Sequence, residues 1–340
     1  MKPKQFDYEP EYATIAMKQD GFYVWDCSTI KVGNEYHMFS SHWPFKLGFG
    51  WNWLFHSEIC HFVSSSPEGP FVFKNVVFSR RDKHYFDGMN THNTCIKEYK
   101  GKFYLYYMGC TYPGPIPQNL SEIDEYFARE TWNRKRIGVA VADDINGEFV
   151  RLDSPILEPR DCSHWDCTCT TNPSVIIKPD GTTYMIYKSR TMATSQLKLG
   201  IAIAPSPTGP FSRLCEGPIL DMDMEDPFIW YDEKRNKFCL IAKDNELNNN
   251  GINKEYGSAF YAESDDCINF EVAEFPKVYS RTIRFKDGAT KTLCNLERPS
   301  VLFDENGEPS YIYCASGDGE GPYCFVGPTY IVGIKLKRRK

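Results

Sequence analysis

The chain lacks the long apolar runs of a membrane-spanning protein and the basic surplus of a nucleic-acid-binding one. No stretch of its 340 residues reaches the roughly 18 consecutive apolar residues that a transmembrane helix requires. A net charge of -6, from 39 basic and 45 acidic residues, leaves no broad basic stripe for a phosphate backbone. We therefore expect neither a membrane nor a nucleic acid as partner.

The N-terminal segment also lacks the apolar core of a secretory signal peptide. Without such a signal we expect a cytoplasmic protein whose thirteen cysteines stay reduced. Most of them fall singly inside apolar, strand-like runs, where a thiol behaves as a small buried hydrophobe. No cysteine pattern has a usual zinc-binding spacing, so we expect no metal site and no cofactor.

Helical patterns are scarce, and residues 120–131 are the best short candidate. A motif of strand, polar turn and strand instead repeats five times, at spacings of 54 to 79 residues. The copies begin near Trp25, His92, Thr171, Glu225 and Glu297. Because each interval holds about four short strands, the repeat predicts an all-β fold, a five-bladed β-propeller. A β-sandwich is the alternative, but it does not explain five matched copies.

We expect one domain over residues 1–340, with residues 1–20 as an N-terminal extension. The innermost strand of each propeller blade lines the central channel, so equivalent positions of the five copies converge on one axis. The aligned positions are Asp26, Asn93, Asn172, Asp226 and Arg298. The positions before them are Trp25, His92, Thr171, Glu225 and Glu297. The residue preferences of ordinary turns do not explain so many charged residues at matching positions of the five copies. The pattern therefore predicts a ring of polar side chains at the mouth of the channel.

Four of these ten positions carry carboxylates: Asp26, Glu225, Asp226 and Glu297. Repulsion and desolvation within one cleft separate carboxyl pKa values, so that one group stays protonated while another ionises. Glycoside hydrolysis needs such a pair, an acid for the leaving oxygen and a base or nucleophile opposite it. These four residues are therefore the candidate catalytic residues.

Basic side chains recur near the ends of the second strands, in YKSR at 187–190 and IAKD at 241–244. Together with arginines in and before the fifth copy, they indicate an anionic sugar or a phosphate group. The candidate substrate-binding residues are Trp25, His92, Asn93, Asn172, Lys188, Arg190, Lys243, Asp244, Arg281 and Arg298.

Short motifs mark the repeated strands: THN at 91–93, TNP at 171–173, EDPF at 225–228, AKD at 242–244, SRT at 280–282 and ERP at 297–299. With the turns SPEGPF and SPTGPF, they resemble the five-bladed propeller glycoside hydrolases of families 43, 32 and 117. The resemblance spans roughly residues 20–335 and is strongest to a branch of proteins described only as glycoside hydrolase family proteins.

This resemblance implies particular roles. In family 43 the catalytic base opens blade one, which matches Asp26, and the acid opens blade four, which matches Glu225. The residue that tunes the acid opens blade three, where this chain departs from the pattern with Asn172. A trio shifted by one blade uses Asp26, Asp226 and Glu297. The acid is then either Glu225 or Glu297.

The residues and the resemblance together predict a glycoside hydrolase that acts from the end of a short, anionic oligosaccharide, and the resemblance implies that it inverts. Two alternatives stay open. A glycoside phosphorylase would use the basic residues to hold phosphate, and a non-catalytic sugar-binding propeller would agree with the departure at Asn172.

Overall fold

The propeller architecture is complete in the computed structural model, which describes residues 3–191, 196–246 and 250–340. Its strands form five four-stranded antiparallel sheets, one for each repeat of the sequence. The prediction of an all-β, five-bladed propeller is confirmed. Over the described ranges, no helix combines the length and apolar character needed to cross a membrane.

The first strand along the chain, β1 (Tyr8–Met17), belongs to the last blade, and blades one to three follow in order. Blade one contains β2 (Phe22–Val32), β3 (Glu35–Pro44), β4 (Glu58–Ser64) and β5 (Val72–Phe78). Blade two contains β6 (Asn90–Tyr99), β7 (Lys102–Cys110), β8 (Arg136–Ala142) and β9 (Val150–Arg151). Blade three contains β10 (Thr171–Ile177), β11 (Thr183–Ser189), β12 (Lys198–Ala204) and β13 (Ser212–Arg213).

Blade five is closed by the N-terminal strand. Blade four contains β14 (Met224–Asp232), β15 (Lys237–Asp244), β16 (Ala259–Ser264) and β17 (Glu271–Tyr279). A small sheet follows, made of β18 (Thr282–Arg284) and β19 (Thr290–Thr292). Blade five contains β20 (Glu297–Phe303), β21 (Pro309–Ser316) and β22 (Tyr330–Arg338), with β1 antiparallel to β22 at its outer edge. Residues 8–17 therefore complete a blade rather than extend from it.

Short helices occupy the loops between second and third strands. A 3₁₀ turn (Phe45–Leu47) and α1 (Asn52–His56) lie between β3 and β4. A second 3₁₀ turn (Leu120–Glu122) and α2 (Glu125–Asn133) lie between β7 and β8. The helix expected over 120–131 begins later because the Asp124 side chain caps it, accepting a hydrogen bond from Phe127 N at 2.7 Å.

The apolar core fills the five spaces between neighbouring blades, and a sixth buried cluster lies around α1 and α2. One buried side chain from each space illustrates the set: Phe39, Val139, Leu240, Ile312 and Met38. The second strand of each blade is largely apolar and buried, as in KFYLYYMGC of β7. The inner strands instead carry buried polar residues where they begin, as in NTHNT of β6.

All thirteen cysteines fall within the described ranges, and none is bonded to another. Cys60, Cys95, Cys239 and Cys314 are buried inside the blades. They pack as small hydrophobes, as the sequence pattern predicted.

Blade one contains a buried histidine pair. Nδ1 of His37 lies 2.9 Å from Nε2 of His61, and the His61 ring stacks on Phe39. Burial, and to a lesser extent the neighbouring His37, lower the pKa of His61 to about 3. Burial also lowers the pKa of His37. The folded protein therefore holds this pair neutral at pH values where the unfolded chain protonates it.

We expect the free energy of unfolding to fall as pH drops below about 6.5, because the unfolded state then binds more protons. His61 contributes up to about 1.4 kcal/mol per pH unit to this slope until pH approaches its folded value. Replacing it (His61→Gln) should flatten the slope, and His84→Gln, at an exposed histidine, should not. Urea unfolding between pH 7 and 5 measures the slopes; equal slopes for wild type and His61→Gln would contradict this assignment.

Candidate active site

Each inner strand begins with a backbone kink. Five non-glycine residues there adopt a left-handed conformation with φ between 53° and 59°: Asp26, Asn93, Asn172, Asp226 and Arg298. The pairing register of each inner strand shifts at the same point. Such a conformation costs an L-residue roughly 1–2 kcal/mol, and strained residues cluster at functional sites. The repeat seen in the sequence is therefore a repeated, strained turn.

The kinks bring their side chains into one hydrogen-bonded ring around the channel. Asn93 Nδ2 donates to Asp26 Oδ1 at 3.1 Å, and Asn93 Oδ1 lies 3.1 Å from Thr171 Oγ1. Thr171 Oγ1 lies 2.9 Å from Asn172 Oδ1, and Asn172 Nδ2 donates to Asp226 Oδ1 at 2.7 Å. Residues from the first four blades are thus linked side chain to side chain.

Arg298, from the fifth blade, closes the ring between two aspartates. Its Nη1 donates to Asp226 Oδ1 at 3.0 Å. Its Nε lies 2.7 Å from Asp26 Oδ1, an ion pair without hydrogen-bond alignment. Each aspartate also accepts a backbone N–H from the next blade, Asn93 N at 2.9 Å and Arg298 N at 3.1 Å. The two carboxylates therefore brace neighbouring blades.

Asp26 is fully buried and has many donors. Ser41 Oγ lies 3.0 Å and His92 Nε2 lies 2.9 Å from its Oδ2. Burial alone would raise its pKa, but the charges of His92 and Arg298 and the hydrogen bonds from His92 and Asn93 hold the pKa of Asp26 well below its usual range. Asp26 is therefore ionised throughout the neutral range.

The hydrogen bonds of His92 define its protonation. Ser57 Oγ donates its only hydrogen to the Thr91 carbonyl at 2.6 Å, so it accepts from His92 Nδ1 at 3.0 Å. The opposite nitrogen, Nε2, faces the ionised Asp26. Nδ1 therefore acts as a donor to Ser57, and Nε2 is placed against the Asp26 carboxylate.

Two glutamates lie beside the ring and share one lysine. Lys243 Nζ lies 2.9 Å from Glu225 Oε1 and 2.5 Å from Glu297 Oε1. Lys188 Nζ donates to the other oxygen of Glu225 at 2.7 Å. Since one ammonium contacts both Oε1 atoms, the sum of the two distances, 5.4 Å, is the upper limit on their separation.

The surroundings shift the pKa values of the two glutamates in opposite directions. Burial would raise the pKa of Glu225, but Lys188 and Lys243 hold it well below its usual range. Burial raises the pKa of Glu297, and the nearby charges of Asp226 and Glu225 add to burial and outweigh Lys243. Glu225 is therefore the ionised member, and Glu297 is the member that keeps a proton to higher pH.

The Glu297 side chain is fixed through one of its oxygens. Oε1 accepts hydrogen bonds from Asn295 Nδ2 at 2.8 Å and Tyr323 Oη at 2.6 Å, besides Lys243. Within the described chain, Oε2 takes part in no hydrogen bond, and Glu297 lines the cavity above the ring. Its second oxygen is thus available to a ligand.

The cavity above the ring has a volume of about 500 Å³. Trp43, at the end of β3, and the segments between second and third strands build its walls with aromatic side chains. Those segments contribute Phe49, Trp51, Trp53, Trp132 and Tyr323. Apolar walls with a few converging polar groups are typical of small-molecule sites. In the described chain, no group of three His, Cys, Asp or Glu side chains is arranged to hold a metal ion.

Most residues selected from the sequence meet in this cavity. Those that line it are Trp25, Asp26, His92, Asn93, Asn172, Lys188, Arg190, Glu225, Asp226, Glu297 and Arg298. Lys243 lies behind the two glutamates. Asp244 and Arg281 lie outside the cavity: Asp244 accepts Asn253 N at 2.8 Å, and Arg281 donates to the Cys294 carbonyl at 2.9 Å. Both instead stabilise nearby loops.

Sequence reasoning missed the lining residues Trp132, Lys135 and Tyr323. They come from loops that differ between blades, so no repeated pattern marks them. A basic residue between a short amphipathic helix and β8 was the only signal for Lys135.

Comparison with solved structures places the fold among glycoside hydrolases. The chain superposes on Zg3597, a family 117 glycoside hydrolase of the marine bacterium Zobellia galactanivorans, with TM-score 0.67 and 18% identity, covering 99% of this chain and 89% of that one. CoXyl43, a GH43 β-xylosidase/α-arabinofuranosidase from a compost metagenome, gives TM-score 0.58 and 15% identity, with 99% and 94% covered. A thermostable family-43 glycoside hydrolase gives 0.58 and 14%, with 93% and 89% covered.

No family model matches the chain, and no curated protein matches it. At these identities, the structural similarity establishes the five-bladed propeller shared with these enzymes.

Removing the charge that closes the ring tests its role. We expect Arg298→Met to lower the free energy of unfolding by about 3–5 kcal/mol at pH 7, since it leaves two buried carboxylates without their shared cation. The difference in free energy of unfolding between wild type and variant should shrink below about pH 4. The aspartates of the unfolded chain then protonate, so the low pKa of folded Asp26 stabilises the wild type less. Arg284→Met, at an exposed arginine, is the control. A deficit below 1 kcal/mol in denaturant titrations would show that Arg298 does not hold the ring.

Proposed function

We propose that the protein is a glycoside hydrolase that removes sugar units from the end of a short oligosaccharide. One observation carries the proposal. Two glutamates at the cavity contact the same lysine, yet their surroundings raise the pKa of one and lower the pKa of the other. Glycoside cleavage needs one protonated and one ionised carboxyl group beside the scissile bond. The structural neighbours, which are glycoside hydrolases of families 117 and 43, support the same reaction class.

Glu297 is the proposed general acid. Its raised pKa favours the protonated form, its Oε1 is fixed, and its Oε2 has no partner among the described residues. Glu225 is poorly suited to that role, because Lys188 and Lys243 stabilise its ionised form. These contacts favour Glu297 over Glu225, the two candidates that the sequence left open.

The proposed base is Asp26, and the reaction is then inverting. An inverting pair needs carboxyl groups roughly 6.5–9.5 Å apart to admit water. The Oε1 atoms of Glu225 and Glu297 are at most 5.4 Å apart, which disfavours that pair. Asp26 lines the same cavity and is ionised, as a general base must be.

The same short separation favours a second candidate, a retaining glycosidase with Glu225 as nucleophile. Carboxyl groups about 5–5.5 Å apart are typical of retaining enzymes. Proton NMR of the first anomer released distinguishes the two reactions directly.

The cavity's size and composition agree with a short substrate. About 500 Å³ lies within the range of small-molecule pockets and is too small to enclose a long polymer. The tryptophans in its walls offer apolar faces against which sugar rings pack. The cations of the cavity suit a substrate with an anionic group.

Variants of the two glutamates test the assignment, after a panel of aryl glycosides and natural disaccharides identifies a substrate. We expect Glu297→Gln to lose about 10²–10⁴ in rate on a poor leaving group and far less on an activated aryl glycoside, because the activated oxygen needs no proton. Glu225→Gln should lose activity on both substrates alike. Glu233→Gln, at an exposed glutamate outside the cavity, is the control and should keep wild-type activity. Unchanged activity in both cavity variants would make these carboxylates structural.

A further inference from the structure

Some of the positively charged side chains that line the cavity have no carboxylate partner. The cavity's four carboxylates are matched within the site: Arg298 contacts both aspartates, Lys188 contacts Glu225, and Lys243 contacts both glutamates. Three further cations line the same cavity. Arg129 pairs with Glu125, whereas Lys135 and Arg190 contact none of these carboxylates. The charges of Lys135 and Arg190 have no counter-ion in the described chain.

Lys135 is the more deeply buried of the two, with 2% of its surface exposed. Its Nζ lies 3.2 Å from the ring centroid of Trp132 and 5.6 Å from that of Trp53. Among the described residues, no hydrogen bond or ion pair engages this nitrogen. Burial, followed by the nearby Lys188 and Arg190 charges, lowers the pKa of Lys135 well below its usual range. A strongly hydrated group has thus been placed in an apolar site.

Arg190 lies against the same indole. Its guanidinium carbon is 3.6 Å from the Trp132 ring centroid, and its Nε is buried without a hydrogen-bond partner in the described chain. Burial lowers the pKa of Arg190 to about 10. Two donors with unused hydrogen-bonding capacity therefore lie on one aromatic side chain at the cavity wall.

The immediate protein surroundings do not compensate for this burial. Cation–π contacts contribute about 0.5–2 kcal/mol each, whereas burying an ion costs several kcal/mol. Two thiols lie nearby, Cys169 and Cys110. Cys110 provides no charge at neutral pH, because burial raises its pKa to about 12, and Cys169 forms no hydrogen bond with either cation among the described residues. A bound anion would supply both the missing charge and the missing acceptors.

We propose that Lys135 and Arg190 form an oxyanion subsite that takes the carboxylate or sulfate of an acidic sugar, or inorganic phosphate. The subsite extends the proposed function, since it presumes that sugar chemistry occurs in this cavity. It also adjoins the catalytic groups. Trp53 packs between Lys135 and His92, with 5.0 Å between its ring centroid and that of His92. Lys188, whose charge acts on Lys135, holds Glu225.

Direct binding tests the subsite without any turnover. The probes are inorganic phosphate, sulfate, glucuronate and galacturonate, with glucose and galactose as neutral counterparts, titrated calorimetrically at constant ionic strength. The variants are Lys135→Met and Arg190→Met, and the matched control is Arg134→Met, an exposed arginine beside the subsite in sequence. Thermal melting of each variant establishes that it is folded.

We expect wild type to bind at least one oxyanion saturably, and each cavity variant to bind it at least tenfold more weakly. Arg134→Met should bind as wild type does. Tighter binding of a uronate than of phosphate assigns the anion to the sugar. Tighter binding of phosphate assigns it to a co-substrate. Both results support the subsite.

The proposal is overturned if wild type binds none of these anions up to tens of millimolar, or if both variants bind as tightly as wild type. Should one variant fail to fold, the other carries the same comparison. Hydrolysis of a neutral glycoside by a protein that binds no oxyanion would leave the proposed function standing and remove only this inference.

Discussion

The left-handed turn at the start of each inner strand is the constraint on which the site depends. Without it, the first residues of five strands would continue the pleat, and alternate side chains would point into the blades. The turn directs five side chains to one axis, where they form a ring closed by Arg298 between Asp26 and Asp226. Four of the five positions hold Asp or Asn, which adopt this conformation more readily than most other non-glycine residues. The fifth holds an arginine, whose strain is offset by the contacts of its guanidinium with two buried carboxylates.

The ring also positions the two glutamates. In four of the five blades the residue before the left-handed position lines the cavity, and in blades four and five it is a glutamate. Lys243 holds the two glutamates close together, and the asymmetry of their other neighbours separates their protonation: Glu225 has a second lysine, whereas Glu297 has a tyrosine and an amide. In blade four, Asp226 braces the neighbouring blades while the adjacent Glu225 is held by two lysines at the cavity.

The repeat made much of this predictable from sequence. Five copies of one strand–turn–strand motif determined the fold, and their register located the ring from Asp26 to Arg298. The walls of the cavity were not predictable in the same way, because Lys135, Trp132 and Tyr323 lie in loops that share no pattern between blades. Asp244 and Arg281 were selected for residue type and proximity to repeated strands, yet neither lines the cavity. The N-terminal strand was treated as an extension, since its pairing with β22 joins the two ends of the chain and leaves no local signal.

The central claim is that one carboxyl group of the cavity keeps its proton while its neighbour ionises. Carbon-13 NMR of protein labelled at the glutamate carboxyl carbon measures this directly, with Glu225→Gln and Glu297→Gln assigning the two resonances. We expect the Glu297 resonance to titrate above its ordinary 4.5 and the Glu225 resonance below it. Titration of both resonances together near 4.5, or in the reverse order, would contradict the account.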